Sequence, residues 1–153
     1  MNTRSSRLLM KMQLLEPALR HEAEQLWAVS DIKTMYRLYL EQMHKVVRSG
    51  VGLMETAVNA ARKLSDNSSK HVLIQYLEKH IEEERGHDQW LLEDYRVCGG
   101  NVDSLLAGIP SGEVASMAGA QYYWIMHHHP VMVMGHVAAL ETNHPPAGFA
   151  KRL

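Results

Sequence analysis

The side chains best suited to chemistry lie in Lys79 to Asp94, KHIEEERGHDQWLLED, where His80, Glu84 and His87 follow one another at spacings of four and three. At about 100° per residue of helix, these three fall in a sector of roughly 60°. Leu73, Leu77, Leu91 and Tyr95 project into the same sector, whereas Glu78, Lys79, Glu82, Arg85, Gln89 and Glu93 point away from it. The periodicity thus predicts ionisable groups on a core-facing stripe. A carboxylate buried without a partner is expensive, so it must meet a proton, a base or a cation. A metal ion accounts for all three residues at once, and mixed carboxylate and imidazole ligation favours iron or manganese over zinc or copper.

Each candidate has a plainer rival. Glu84 and His87 form an E-x-x-H pair, the spacing by which one helix offers an oxygen and a nitrogen ligand to the same ion; a buried ion pair is the alternative. The string recurs at Glu41/His44 and Glu141/His144. Glu41 points nearly opposite the apolar stripe of its helix, and His144 precedes Pro145-Pro146, beyond the helix end. A histidine such as His80 on an apolar face is more often a hydrogen-bonded core residue than a ligand. Glu83 lies close enough to the sector to replace Glu84 if the helix rotates slightly, while Glu82 and Asp88 belong to the solvated flank. Glu141 leaves an all-apolar segment, where a free carboxylate is costly; its rival reading is a helix-end residue reaching water.

Other conspicuous residues carry less. His127, His128 and His129 diverge by about 100° each on a helix, so at most one faces inward. Tyr122, Tyr123, Trp124 and the methionines read as core packing. Cys98 has no activating base in sequence, and no phosphate loop, nucleophile elbow or zinc-knuckle spacing occurs.

The elements that must position these groups are helical. A first helix is expected from about Pro17 to Trp27, preceded by a looser helical arm. Asp31 caps a second, running to about Leu64 with a bend at Gly50-Val51-Gly52. A third is expected to run unbroken from Ser68 or Ser69 to Gly99-Gly100, a rod of roughly 45 Å at 1.5 Å per residue that forms the spine of the domain. Asn101 to Gly112 reads as connector. Ser111 and Glu113 open a fourth helix, and Pro130 kinks it or starts another. Val131 to Leu140, apolar on every side, predicts an inner helix. The whole is one all-α domain over residues 1–153, with an arm at 1–15, a bundle at 16–143 and a tail at 144–153.

Composition narrows the function. The 153 residues are 46% hydrophobic and 22% charged with net charge -1, which argues against nucleic acid as a partner, and no stretch is apolar for long enough to span a bilayer. Lys11 interrupts the apolar run after Arg4 and no small-residue cleavage site follows, so this run reads as helix rather than signal. The single cysteine fits a reducing, cytoplasmic compartment.

Three strings carry a resemblance: YLEKHIEEERGHDQWLLEDY at Tyr76 to Tyr95, YRLYLEQMHKVVRSGVGLMETAV in the second helix, and YYWIMHHHPVMVMGHVAALE at Tyr122 to Glu141. Together they resemble the heme-oxygenase-like di-iron oxidases, the all-helical group that also holds thiaminase-II-like proteins and pyrroloquinoline-quinone synthase. The resemblance implies a bundle clasping two irons, with Glu84 and His87 on one helix and Glu141 as the next carboxylate, and an enzyme that reduces O₂ while oxidising a small amino- or fatty-acid-like substrate. His80 and Glu83 remain further candidate ligands. The family's remaining ligands come from a later helix with an H-x-x-x-D-x-x-H pattern that this sequence lacks, so two or three ligands stand where about six are expected. A heme-oxygenase-like bundle that is short at its C-terminus would expose an apolar face, which pairing into a homodimer would cover. The expectation is therefore an iron-dependent oxidoreductase, inactive if the site is incomplete. The alternatives are a non-catalytic helical metal-binding or interaction module and, more weakly, a thiaminase-like C–N hydrolase.

Overall fold

A computed structural model of the chain describes residues 3–142. The expected tail at 144–153, including His144 and the two following prolines, lies outside the described residues. Within them the chain is all-helical: α1 Arg4–Trp27, α2 Ile32–Arg62, α3 Ser68–Glu84, α4 His87–Val97, α5 Val102–Ala107, α6 Gly112–His127, a 3₁₀ turn Pro130–Met132 and α7 Val133–Thr142. Side-chain caps set most of the starts. Asp31 accepts from the Thr34 N–H at 3.1 Å, Asn67 from Lys70 at 2.9 Å and Asn101 from Ser104 at 2.9 Å, satisfying donors that the first helical turn leaves unpaired.

The first helix differs from expectation. It begins at Arg4 and runs through Pro17, because the leucine, methionine, lysine and glutamate residues on either side are strong helix formers that carry the helix past one lost hydrogen bond. From Arg4 onward, the expected arm and the bundle element after it are thus one helix. The short α5 occupies part of the presumed connector.

The spine is α2 rather than the third helix. Leu53, Met54, Ala57, Val58 and Ala61 from its second half pack with Leu73, Leu77 and Ile81 of α3, Ile125 of α6, and Val133 and Val137. Leu40, from its first half, packs with Leu92 and Tyr95 of α4 and Leu105 of α5. The third helix fails as a rod because it breaks between Glu84 and His87. Gly86 takes φ 93°, a left-handed conformation that glycine alone adopts without penalty. The same chemistry ends α4 at the expected glycine pair: Gly99 takes φ 82°, its N–H donates to Arg96 O and that of Gly100 to Tyr95 O, both at 2.9 Å, the double bond of a Schellman ending. The segment from Val131 to Leu140 is not an inner helix either. Val133, His136 and Val137 are buried, but Val131, Met132 and Leu140 are exposed, since only one side of α7 meets the bundle. Among the described residues, no helix is long and apolar enough to cross a membrane.

Candidate metal centre

Two helices build the site. α3 supplies His80 and Glu84 one turn apart near its C-terminal end, and α7 supplies Glu141 close to its own end. One ligand atom from each lies within 4.8 Å of the other two. His80 and Glu84 are half-buried and Glu141 is exposed. Bonds of about 2.1 Å place three ligand atoms of one ion roughly 3.0 to 3.6 Å from one another, so these side chains would have to draw together to close on one ion. One imidazole and two carboxylates form a hard, mixed donor set of the kind iron and manganese take.

The neighbours of the trio hold its members. His80 sits between two carboxylates, Nδ1 at 3.4 Å from Glu83 Oε2 and Nε2 at 3.4 Å from Glu141 Oε1. Glu83 is therefore set on the Nδ1 side of the ring, apart from the trio, where it orients the imidazole. Lys79, at 3.2 Å from Glu83, holds the Glu83 carboxyl below its ordinary range, with His80 adding to the effect. The ring of Tyr76 stacks on that of His80 at 5.6 Å between centroids.

His87 stands elsewhere than the sequence places it. The predicted common sector assumed one continuous helix, and the turn at Gly86 removes that assumption by starting α4 at His87 itself. His87 leaves the trio but keeps one of its members: its Nδ1 lies 3.0 Å from Glu84 Oε2, and its ring packs on Trp90 at 4.4 Å. It contacts the Glu84 carboxylate and biases its direction. The E-x-x-H spacing thus marks a pair in contact, separated by a helix break.

Beside the site runs an open, largely apolar groove of about 440 Å³, lined by Ser68, Ser69, Val72, Leu73 and Tyr76 of α3 and by Val131 and Met134. Tyr76 belongs to both, forming the wall of the groove and the stacking partner of His80.

Two buried histidines were missed as site candidates. His44 is 1% exposed, and neither ring nitrogen makes a hydrogen bond among the described residues; the same holds for Nε2 of His136. Burial pushes both below the ordinary imidazole value of 6.5. At His44 the charge of Asp88 opposes this, while Arg48 and Lys45 reinforce it. Their signals were in the sequence: His44 follows Leu40 by four residues on one helix face, and His136 is the lone ionisable group within Val131 to Leu140. Cys98 is half-buried and packs with Leu40, Tyr95 and their neighbours. No family model, curated protein or solved structure matches the chain.

Proposed function

We propose that the chain is an iron-dependent oxidoreductase that seats one ferrous ion on His80, Glu84 and Glu141 and uses O₂ to oxidise a small, largely apolar substrate. The observation that supports it is the convergence of these three groups from α3 and α7. Three protein ligands suit a single ion and leave coordination positions for O₂ and substrate, whereas a pair of irons calls for about six. Iron, when bound, would supply the one-electron chemistry that O₂ requires. The chain's own residues do the rest. Glu83 orients His80, and His87 orients Glu84. The groove at Tyr76, open to solvent, offers an apolar surface close to the ligands for such a substrate, an amino- or fatty-acid-like compound in the reading carried from the resemblance. Manganese is the second choice of metal on the same donor chemistry.

The test is metal titration under anaerobic conditions followed by oxygen-electrode measurements. Wild type is expected to bind Fe(II) and consume O₂ when reductant is present, and Glu84→Ala to lose both. Unchanged binding in Glu84→Ala removes the proposal.

The exposure of Glu141, 55% of its side chain, supports a second reading, a non-catalytic metal-binding module, because an open carboxylate leaves the ion accessible to solvent. Metal binding without O₂ consumption decides for it. The thiaminase-like alternative has no comparable support, since Cys98 packs in the α4 and α5 cluster rather than with His80.

A further inference from the structure

The first helix is unlike the others. Of its described side chains only Trp27 is buried, edge-on against Tyr39 at 5.0 Å. Leu8 is 44% exposed, Leu15 64% and Leu19 49%, an apolar load that a helix projecting into water does not carry without a partner. Leu8, Met12, Leu15, Leu19 and Leu26 recur at spacings of four, three, four and seven, and at about 100° per residue they form a stripe roughly 60° wide, the seam of a two-helix coil.

The charges identify what fits the seam. Between Ser6 and Leu15 the helix carries Arg7 and Lys11 and no acid; from Glu16 to Trp27 it carries Glu16, Glu22 and Glu24 against Arg20 alone. The first turn has no acidic residue and the last no basic one. This order opposes the helix dipole, which favours acids at the N-terminus and bases at the C-terminus, so the arrangement works against the isolated helix. It suits an antiparallel neighbour with the same sequence, whose acidic half lies along this basic half and whose dipole runs the other way.

We propose that two copies of this chain associate through α1, paired antiparallel along the Leu8 to Leu26 stripe. In the register that matches the apolar positions, Leu8 meets Leu26 of the second copy, Leu15 meets Leu19, and Met12 lies against Ala23. Lys11 then flanks Glu22 of the second copy, and the two-fold axis repeats the contact. The two helical bodies sit at opposite ends of the pair, so the metal centre on α3 and α7 is not part of the interface.

Sedimentation equilibrium of the full chain provides the test, with circular dichroism to confirm helix content. Wild type is expected to be a dimer and Leu15→Glu/Leu19→Glu a helical monomer. Lys11→Glu and Glu22→Lys create like-charge contacts in this register, and each is expected to weaken the dimer about tenfold or more. Mixing the two variants restores opposite charges at both contacts, so a heterodimer of near wild-type affinity is expected, an outcome a parallel pairing does not produce. A wild type that stays monomeric at about 100 µM, whether or not it binds vesicles of anionic lipid, overturns the proposal. So does a mixture that associates no better than its components.

Discussion

His80 and His44 both turn toward the interior of the bundle, yet the chain treats them in opposite ways. His80 lies at the open edge between α3 and α7 with a carboxylate facing each ring nitrogen. His44 lies on the inward face of α2, with no hydrogen bond to either nitrogen among the described residues. The first arrangement keeps its groups paired and within reach of solvent, so an added ion exchanges one set of polar contacts for another. The second encloses a polar ring, and burial disfavours its charged form. The edge is thus where chemistry is available, and the interior is where an ionisable group acts on stability.

Removing a ligand is the strongest way to break this contrast. Glu84→Ala is expected to weaken Fe(II) affinity about 100-fold or more, equivalent to about 2.7 kcal/mol, while shifting the urea midpoint little because the residue is only half-buried. Calorimetric titration and chemical denaturation of the same sample measure both.

Next in size is pH. His44 and His136 are held neutral in the fold below their ordinary pKa of 6.5, so the unfolded chain binds more protons just below that value. Stability is therefore whole above about pH 6.5 and falls with acidification, by about 1.4 kcal/mol per pH unit for each histidine that stays neutral. Urea unfolding should show a lower stability at about pH 5 than at about pH 7.5, and a flat profile would contradict the role assigned to these two rings.

A smaller effect separates ligand from support. His87→Ala is expected to weaken metal affinity about tenfold, the size typical of groups that hold a ligand rather than bind the ion, and the same titration reads it. A loss as large as that of Glu84→Ala would return His87 to the coordination set. The smallest expected change is a gain: His44→Leu fills similar volume without an unpaired polar ring and should stabilise the fold by about 1 kcal/mol, with a shallower pH dependence in the same denaturation series.

Much of this was readable in advance. Helix periodicity placed His80 and Glu84 on the inner face of α3, the Asp31 and Ser111 caps opened their helices, and Gly99-Gly100 closed α4, because these signals depend on a few neighbouring residues. The misplacement of His87 came from one glycine. Inside a helical pattern Gly86 is compatible with a continued helix or with a break, and the choice rests on packing: Leu77 and Ile81 belong to the cluster around Leu53, whereas Leu92 and Tyr95 belong to the one around Leu40. Periodicity also classed Val131 to Leu140 as inner, since it counts apolar residues and cannot count the helices around them.

By itself the sequence determined an all-helical chain, its principal caps, and which residue types along α3 and α7 are fit to hold a cation. Only the tertiary structure decided that α7 returns Glu141 to His80, that His87 meets Glu84 from the start of the next helix, and that His44 and His136 are enclosed. The physical reason is range. Caps and periodicity act within a turn or two of helix, whereas the meeting of His80 with a carboxylate 61 positions along the chain follows from how the apolar faces of whole helices pack.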